Sequence, residues 1–277
     1  MHCVVCLKQV PDTSEVRIDP KTNTLMREGV PSIINPYDAH ALEEALAIRD
    51  KMGGKVTVVS MGPPQAVDSL RKAISLGADE AILLSDRAFA GSDTLATSYI
   101  LARALEKIRA EQGLDLVLCG KQAIDGDTAQ VGPGIARRLN LPQLTYVIKV
   151  EWVRNGEIQV QRKLEDGKEI AKAKLPALIT VEKEINEIRY ATFPNMLQGA
   201  KYQAVVWGTG QFNLDPAEMG LKGSPTSVSR IFAPPARTGG EQIMAIDDPG
   251  SAAISLVEKL FQQNVIMVHP AARGDRD

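Results

Sequence analysis

The stretch LDLVLCGKQAIDGDTAQVGPGIARRLN, residues 114–140, decides the fold. It opens on the apolar run Leu114 to Leu118, of strand length, and closes on a helical pattern. Between them lies a turn rich in glycine (Gly120, Gly126, Gly132, Gly134), hydroxyl and amide side chains. Strand, glycine-rich turn and helix in that order make the repeating unit of open parallel sheets.

Upstream the unit repeats. HCVVCLK (2–8) reads as a buried strand and NPYDAHALEEALAIRDKMGG (35–54) as a helix. Asn35 stands at the cap, Pro36 at the first helical position and Asp38 in the first turn, where a negative charge is favoured. Gly53 and Gly54 end that helix, and Glu43 and Glu44 read as a solvated pair on its outer face. KVTVVSMG, PQAVDSLRKAISLG, EAILLS and DTLATSYILARALEKIRAEQG continue the alternation. Nearly continuous apolar strands joined by helices predict an α/β doubly wound, mostly parallel sheet, covered on both faces.

After residue 143 the pattern changes: Asn155-Gly156 and Asp166-Gly167 separate alternating runs, the signature of hairpins. Antiparallel strands added to the sheet are expected across 143–183. A small hairpin is expected at 16–27. From Pro194 on there is no steady period until PGSAAISLVEKLFQQN, whose Ile254, Val257, Leu260 and Phe261 form an apolar stripe. The expected division is therefore a nucleotide-binding domain at 1–193 and an extended arm at 194–277, with one helix and a frayed tail.

Composition narrows the function. Thirty-two basic against 34 acidic residues, with no basic block, argues against nucleic acid as a partner. No apolar run is long enough to span a bilayer, and the opening MHCVVCLKQV lacks a signal peptide's features, which predicts a cytoplasmic location. Cys3 and Cys6 form a C-x-x-C, but on a strand these side chains point to opposite faces, so a metal or disulfide reading fails. No residue set suggests acid–base or nucleophilic catalysis; a cofactor would have to carry any chemistry.

In open parallel sheets ligands gather at the carboxyl ends of strands. There the sequence places Cys6, the segment Asn35-Pro36-Tyr37-Asp38, Met61, Thr94 and Thr97, and the run Gly120 to Val131. That run contains Lys121, Gln122, Ala123, Ile124, Asp125, Gly126, Asp127, Thr128, Ala129 and Gln130. Helix N-termini and glycines in such a rim suit a phosphate-bearing ligand. Gly126, Gly132 and Gly134 would let backbone approach it, while Asp127 with Gln130 could form a capping box. Neither G-x-x-x-x-G-K-[ST] nor a G-x-G-x-x-G after the first strand is present, so a P-loop ATPase or a common dinucleotide dehydrogenase is not indicated.

At this point GKQAIDGDTAQVGP resembles the nucleotide loop of electron-transfer flavoprotein β subunits. CLKQVPDT, INPYDAHALEEAL, SMGPPQAVDSLRKAISLGAD and KLPALITVEKEINEIRYATFPNM carry the likeness along the chain. The resemblance implies a heterodimer with an α subunit that holds one FAD. In one branch of the family the β subunit holds structural AMP and shuttles electrons from or to acyl-CoA dehydrogenases. In the other it holds a second FAD, takes hydride from NADH and bifurcates the electron pair, one electron going to the α-subunit FAD and one to ferredoxin or flavodoxin. The loop here resembles the second branch. The resemblance also implies that Phe193, Pro194, Asn195 and Met196 dock a partner dehydrogenase, although the family's lysine-rich continuation is reduced to Gln198, Gly199, Ala200 and Lys201. A nucleotide-sensing module that binds ATP without redox function is the reading from a different class.

Overall fold

The computed structural model describes residues 1–12, 32–229, 240, 243, 245 and 248–266. The hairpin expected at 16–27 and the expected tail at 269–277 lie outside the described residues.

In chain order the elements begin with β1 (His2–Cys6), the short antiparallel pair β2 (Gln9–Pro11) and β3 (Ser32–Ile34), and α1 (Pro36–Met52). Then come β4 (Lys55–Met61), α2 (Val67–Leu76), β5 (Glu80–Leu84), α3 (Thr94–Gln112), β6 (Leu116–Gly120) and α4 (Val131–Arg138). The second half holds β7 (Gln143–Arg154), β8 (Glu157–Lys163), β9 (Lys168–Lys174), β10 (Ala177–Val181), α5 (Phe193–Lys201), β11 (Val205–Trp207) and α6 (Pro249–Gln262).

One sheet of nine strands runs β11-β5-β4-β1-β6-β10-β7-β8-β9. Its members from β11 to β7 are parallel, and the two pairings at its other end, β7–β8 and β8–β9, are antiparallel. The central strands are apolar and buried along their whole length, because helices cover both faces. Leu42 and Leu46 of α1 and Leu70 and Ile74 of α2 pack on one face, with Cys3, Val5 and Val58. Ile100 and Leu105 of α3 and Ile135 of α4 pack on the other, with Val4, Cys6 and Cys119. Cys3 and Cys6 therefore do lie on opposite faces, as strand alternation requires.

The local signals for each helix are visible. Asp93 caps α3, accepting from the Leu95 and Ala96 N–H groups, and Gly77 ends α2 in the left-handed conformation. Asp248 caps α6 in the same way, accepting from Gly250 and Ser251 N–H.

The antiparallel region departs from the sequence reading at one strand. The turns at Asn155-Gly156 (both with φ above +50°) and at Asp166-Gly167 make the β7–β8 and β8–β9 hairpins. The chain then leaves the hairpins and inserts β10 parallel between β6 and β7. ALITV has no polar face to turn to water, apart from a Thr180 that is itself buried, so it belongs inside the sheet.

The segment after 194 also forms more structure than its patchy period suggests. Thr192 caps α5, and α5 packs on α2 so closely that a Cβ on Gly199 would sit 2.6 Å from the Arg71 carbonyl. Tyr202 accepts from the Ala81 N–H through its hydroxyl, and β11 then pairs with β5 at the sheet edge. Residues Met1–Ile231 form one compact unit and Phe232–Asp277 a second. Within the second unit, Ile254, Leu256, Val257 and Phe261 of α6 are exposed.

Candidate nucleotide site at the sheet crossover

From β1 the chain winds outward through β4 and β5, then returns through α3 to β6 on the other side of β1. The winding direction reverses between β1 and β6, and in open α/β sheets the crevice above the carboxyl ends of such a pair of strands is where ligands bind. Cys6 ends β1, Met61 ends β4 and Gly120 ends β6.

Two buried polar side chains tie this rim together. Asp38 accepts the Lys8 N–H at 2.7 Å with one carboxylate oxygen and the Gly120 N–H at 2.9 Å with the other. Asn35 donates to the Gln122 carbonyl at 2.8 Å and accepts from the Ile124 N–H at 3.2 Å. Asn35 holds the cap position of α1 but makes no side-chain cap bond; its amide serves the loop after β6 instead. Gly120 is required at its place, since a Cβ there would lie 2.4 Å from the Asp38 carboxylate and 2.6 Å from the Tyr37 Cβ.

Burial pushes the Asp38 carboxyl from 3.8 up to about 7, against the lowering effect of the Lys8, Asn35 and Gly120 hydrogen bonds. A carboxyl raised in the fold favours the fold most where it is protonated. Its contribution is full below the unfolded value near 3.8 and is lost as pH rises through about 7. Urea melts between pH 4 and 7 should show this decline, and Asp38→Asn should flatten it. An unchanged slope in the variant would assign the pH dependence elsewhere.

The exposed acidic side chains of the loop after β6 each have a partner within the rim. Lys8 Nζ meets both oxygens of Asp125 at 2.7 and 2.8 Å, and Gln122 Nε2 donates to Asp127 at 2.7 Å. This pairing reduces the repulsion that the two carboxylates would exert on a phosphate. Lys8 was not among the residues selected from the sequence; its place directly after the strand was the available signal. Asp127 and Ala129 have φ of 49° and 54°, a conformation that side chains rarely adopt, while Gln130 returns to −101°. Neighbouring residues with φ of opposite sign turn successive N–H groups toward one side, as in anion-binding nests.

The capping box expected from Asp127 and Gln130 does not form. The helix α4 starts at Val131, so Pro133 falls in its first turn, where no N–H is missed. Gln130 instead accepts from the Thr94 hydroxyl at 2.9 Å, joining the N-terminus of α4 to that of α3. Thr97 follows in the first turn of α3, its N–H bonded to the Asp93 carbonyl. The three glycines expected to admit a ligand divide by role. Gly126 faces open space, with no atom within 4 Å of an added Cβ. A Cβ on Gly132 would sit 2.6 Å from Thr180 and one on Gly134 2.8 Å from Ser98, so both glycines serve helix packing.

Lys121 pairs with Glu182 at 3.0 Å and lies over the Tyr37 and Tyr146 rings, while Lys183 covers Tyr37. Glu43 is not solvated: it is buried and accepts two bonds from the Arg189 guanidinium at 2.8 and 2.9 Å. Glu44 accepts from Asn186 at 3.1 Å, and burial pushes its carboxyl up.

Phe193, Pro194, Asn195 and Met196 lie apart from the crevice, at the start of α5. Phe193 and Met196 are exposed there beside Tyr190, which is 96% exposed and was not singled out from the sequence. A shallow pocket lined by Arg49, Asp79, Arg189, Tyr190 and Asn195 adjoins them. Among the described residues there is no cluster of three metal-ligating side chains, and no helix is long and apolar enough to cross a membrane.

Comparison with known proteins places this geometry. The family model "Electron transfer flavoprotein domain" matches residues 22–207. The chain is 51% identical to a FixA protein of Azotobacter vinelandii over 95% of its own length and 96% of the relative's. It is 51% identical to the electron transfer flavoprotein subunit beta of Thermoanaerobacterium thermosaccharolyticum, over 96% of this chain and all of the relative. It is 49% identical to the caffeyl-CoA reductase-Etf complex subunit CarD of Acetobacterium woodii, with the same coverage. A doubly wound sheet, a glycine loop at its crossover and matches of this extent lead to one conclusion: the chain belongs to the electron transfer flavoprotein family, as a β subunit.

Proposed function

We propose that this β subunit holds FAD in the crevice between β1 and β6, receives hydride there from NADH, and bifurcates the electron pair between the α-subunit FAD and a ferredoxin or flavodoxin. Membership of the family implies an electron-transfer role and an α-subunit partner. The observation that carries the FAD reading is the convergence of two helix N-termini, α3 and α4, at the Thr94–Gln130 bond, beside a loop left open at Gly126. Such paired termini, with the Thr94 hydroxyl on α3, the N–H groups of α4 that no side chain caps and the positive dipole ends of both helices, suit a phosphate-bearing ligand.

When bound, FAD would supply the exchange between two-electron and one-electron chemistry. The chain's residues do the rest. Thr94, Thr97 and the N–H groups of 128–131 hold the diphosphate. Lys8 keeps the charge of Asp125 away from it. Asp38 and Asn35 fix the loop on β1 and α1 rather than touching the ligand. Cys6, Tyr37 and Met61 close the floor and sides of the crevice.

Phe193, Met196 and Tyr190 would anchor a partner dehydrogenase, since exposed aromatic and Met side chains dominate such contacts. The relative named for a caffeyl-CoA reductase–Etf complex supports a CoA-ester reductase or dehydrogenase as that partner. The exposed apolar side of α6 would pack on the α subunit.

Counting cofactors in the purified heterodimer tests the proposal. Two FAD per heterodimer, with rapid single-turnover reduction by NADH, is the expected result. One FAD with one AMP, and no reduction by NADH, would identify the non-bifurcating carrier instead. A stable monomer that binds ATP and no flavin would remove both readings.

A further inference from the structure

Cys6 is the last residue of β1, and Cys119 is next to last in β6. They are direct partners in the parallel ladder between these strands. Both side chains enter the core beneath α3 and α4, whereas Cys3 enters the opposite one. All three cysteines are free and buried. Adjacent strands lie about 4.8 Å apart, inside the ~4.4–6.8 Å Cα separation that a disulfide bridges. A hydrogen bond with Cys6, and then burial, push the Cys119 thiol well above its ordinary value, with the Asp38 charge adding to the rise. Two thiols thus meet at the floor of the crevice, beneath Gly120 and the Asp38 clamp.

We propose that Cys6 and Cys119 are a redox pair that a hydroperoxide closes to a disulfide. One sulfur, giving up its proton to solvent, attacks a peroxide oxygen. The O–O bond breaks, the sulfur keeps one oxygen as a sulfenic acid, and the other oxygen takes up a proton and leaves as water or an alcohol. The second sulfur then displaces the sulfenic hydroxyl, which leaves with that thiol's proton as water. The two thiols lose two electrons and the peroxide gains two.

At rest the pair is protonated and shielded, so it reacts when the crevice opens. The bond must draw the Cβ atoms from the ~4.8 Å strand spacing toward about 3.8 Å, and a bond under such strain is readily reduced again. Closing it pulls on Lys8 and Gly120, whose N–H groups Asp38 holds, so the oxidised form reshapes the loop at 121–131. Only this last step rests on the nucleotide reading of the crevice.

The test uses the reduced heterodimer treated with hydrogen peroxide, alkylated, and mapped by mass spectrometry without reductant. The expected product is a Cys6–Cys119-linked peptide, two hydrogens lighter, that dithiothreitol reverses. Saturating FAD should slow its formation about tenfold or more, because binding closes the reactive open state. In Cys119→Ala, Cys6 should give a dimedone-trapped sulfenic acid and no linked peptide; should that variant fold poorly, the wild-type map alone decides. Alkylation of both thiols after peroxide, a sulfinic acid on one alone, or a link to Cys3 would overturn the pair. A linked peptide whose rate ignores both FAD and AMP would uphold the pair and count against the nucleotide site.

Discussion

Replacing Gly126 with aspartate is expected to empty the crevice of nucleotide while leaving the fold intact. An added Cβ at this position meets no atom within 4 Å, so the side chain enters space that the protein does not fill. Its carboxylate would then face the phosphate region between the starts of α3 and α4, without a Lys8 of its own. A like charge some 4–6 Å away costs about 3–4 kcal/mol at the effective dielectric near a protein surface, and less with partial screening. Nucleotide affinity should fall roughly 30- to 200-fold, while the unfolding free energy of the ligand-free protein changes by no more than about 0.5 kcal/mol, as is typical of open surface sites. Gly126→Ala separates charge from bulk and should retain the ligand. Flavin and AMP content per heterodimer, measured beside a circular-dichroism melt, reads both effects. Full occupancy in the aspartate variant would take the loop out of the site.

Arg189→Ala should have the largest effect on stability. The guanidinium gives Glu43 two hydrogen bonds and Asp50 a third at 2.9 Å, while the Arg189 N–H gives Glu43 another. Truncation leaves a carboxylate in a buried position on α1 with one backbone donor. Breaking a buried pair in this way costs about 3–5 kcal/mol, and the partial exposure of Arg189 places the expectation near the lower end, about 3 kcal/mol. For a chain of this size that is a drop in melting temperature of roughly 6–12 °C. Adding Glu43→Leu should recover much of the loss, because the stranded charge disappears with it. The same bridge ties α1 to the segment that leads into Tyr190 and Phe193, so affinity for the proposed dehydrogenase partner should weaken together with stability. A loss below about 0.5 kcal/mol in calorimetry would show that water already reaches Glu43.

The parallel half of the fold was legible because its cues are local: apolar runs of strand length, a proline at the start of α1 and the glycine stop at Gly53. The hairpins were legible from Asn155-Gly156 and Asp166-Gly167. The place of β10 was not, because a short apolar strand carries no mark of its neighbours' direction. In the site, the rim was legible from the rule that ligands collect at strand ends. The uses of its side chains were not. Asn35, Asp127 and Gln130 all have good capping chemistry, yet each bonds across tens of residues or within a strained loop, and sequence spacing does not encode such partners. Glu43 reads as a surface acid until Arg189, far along the chain, comes to lie over it. Gly132 and Gly134 show the limit of reading glycines: open space and tight packing demand the same residue.

The late insertion of β10 sets an order of assembly. Until residue 181 is made, β6 has an open edge along its whole length, and β7 has no parallel neighbour to lean on. A nascent chain that has emerged to Gly120 therefore presents half a sheet with a bare apolar border for about 60 more residues of synthesis. Such borders invite pairing with other polypeptides. This subunit should thus depend on chaperones more heavily during translation than when the completed chain refolds from urea.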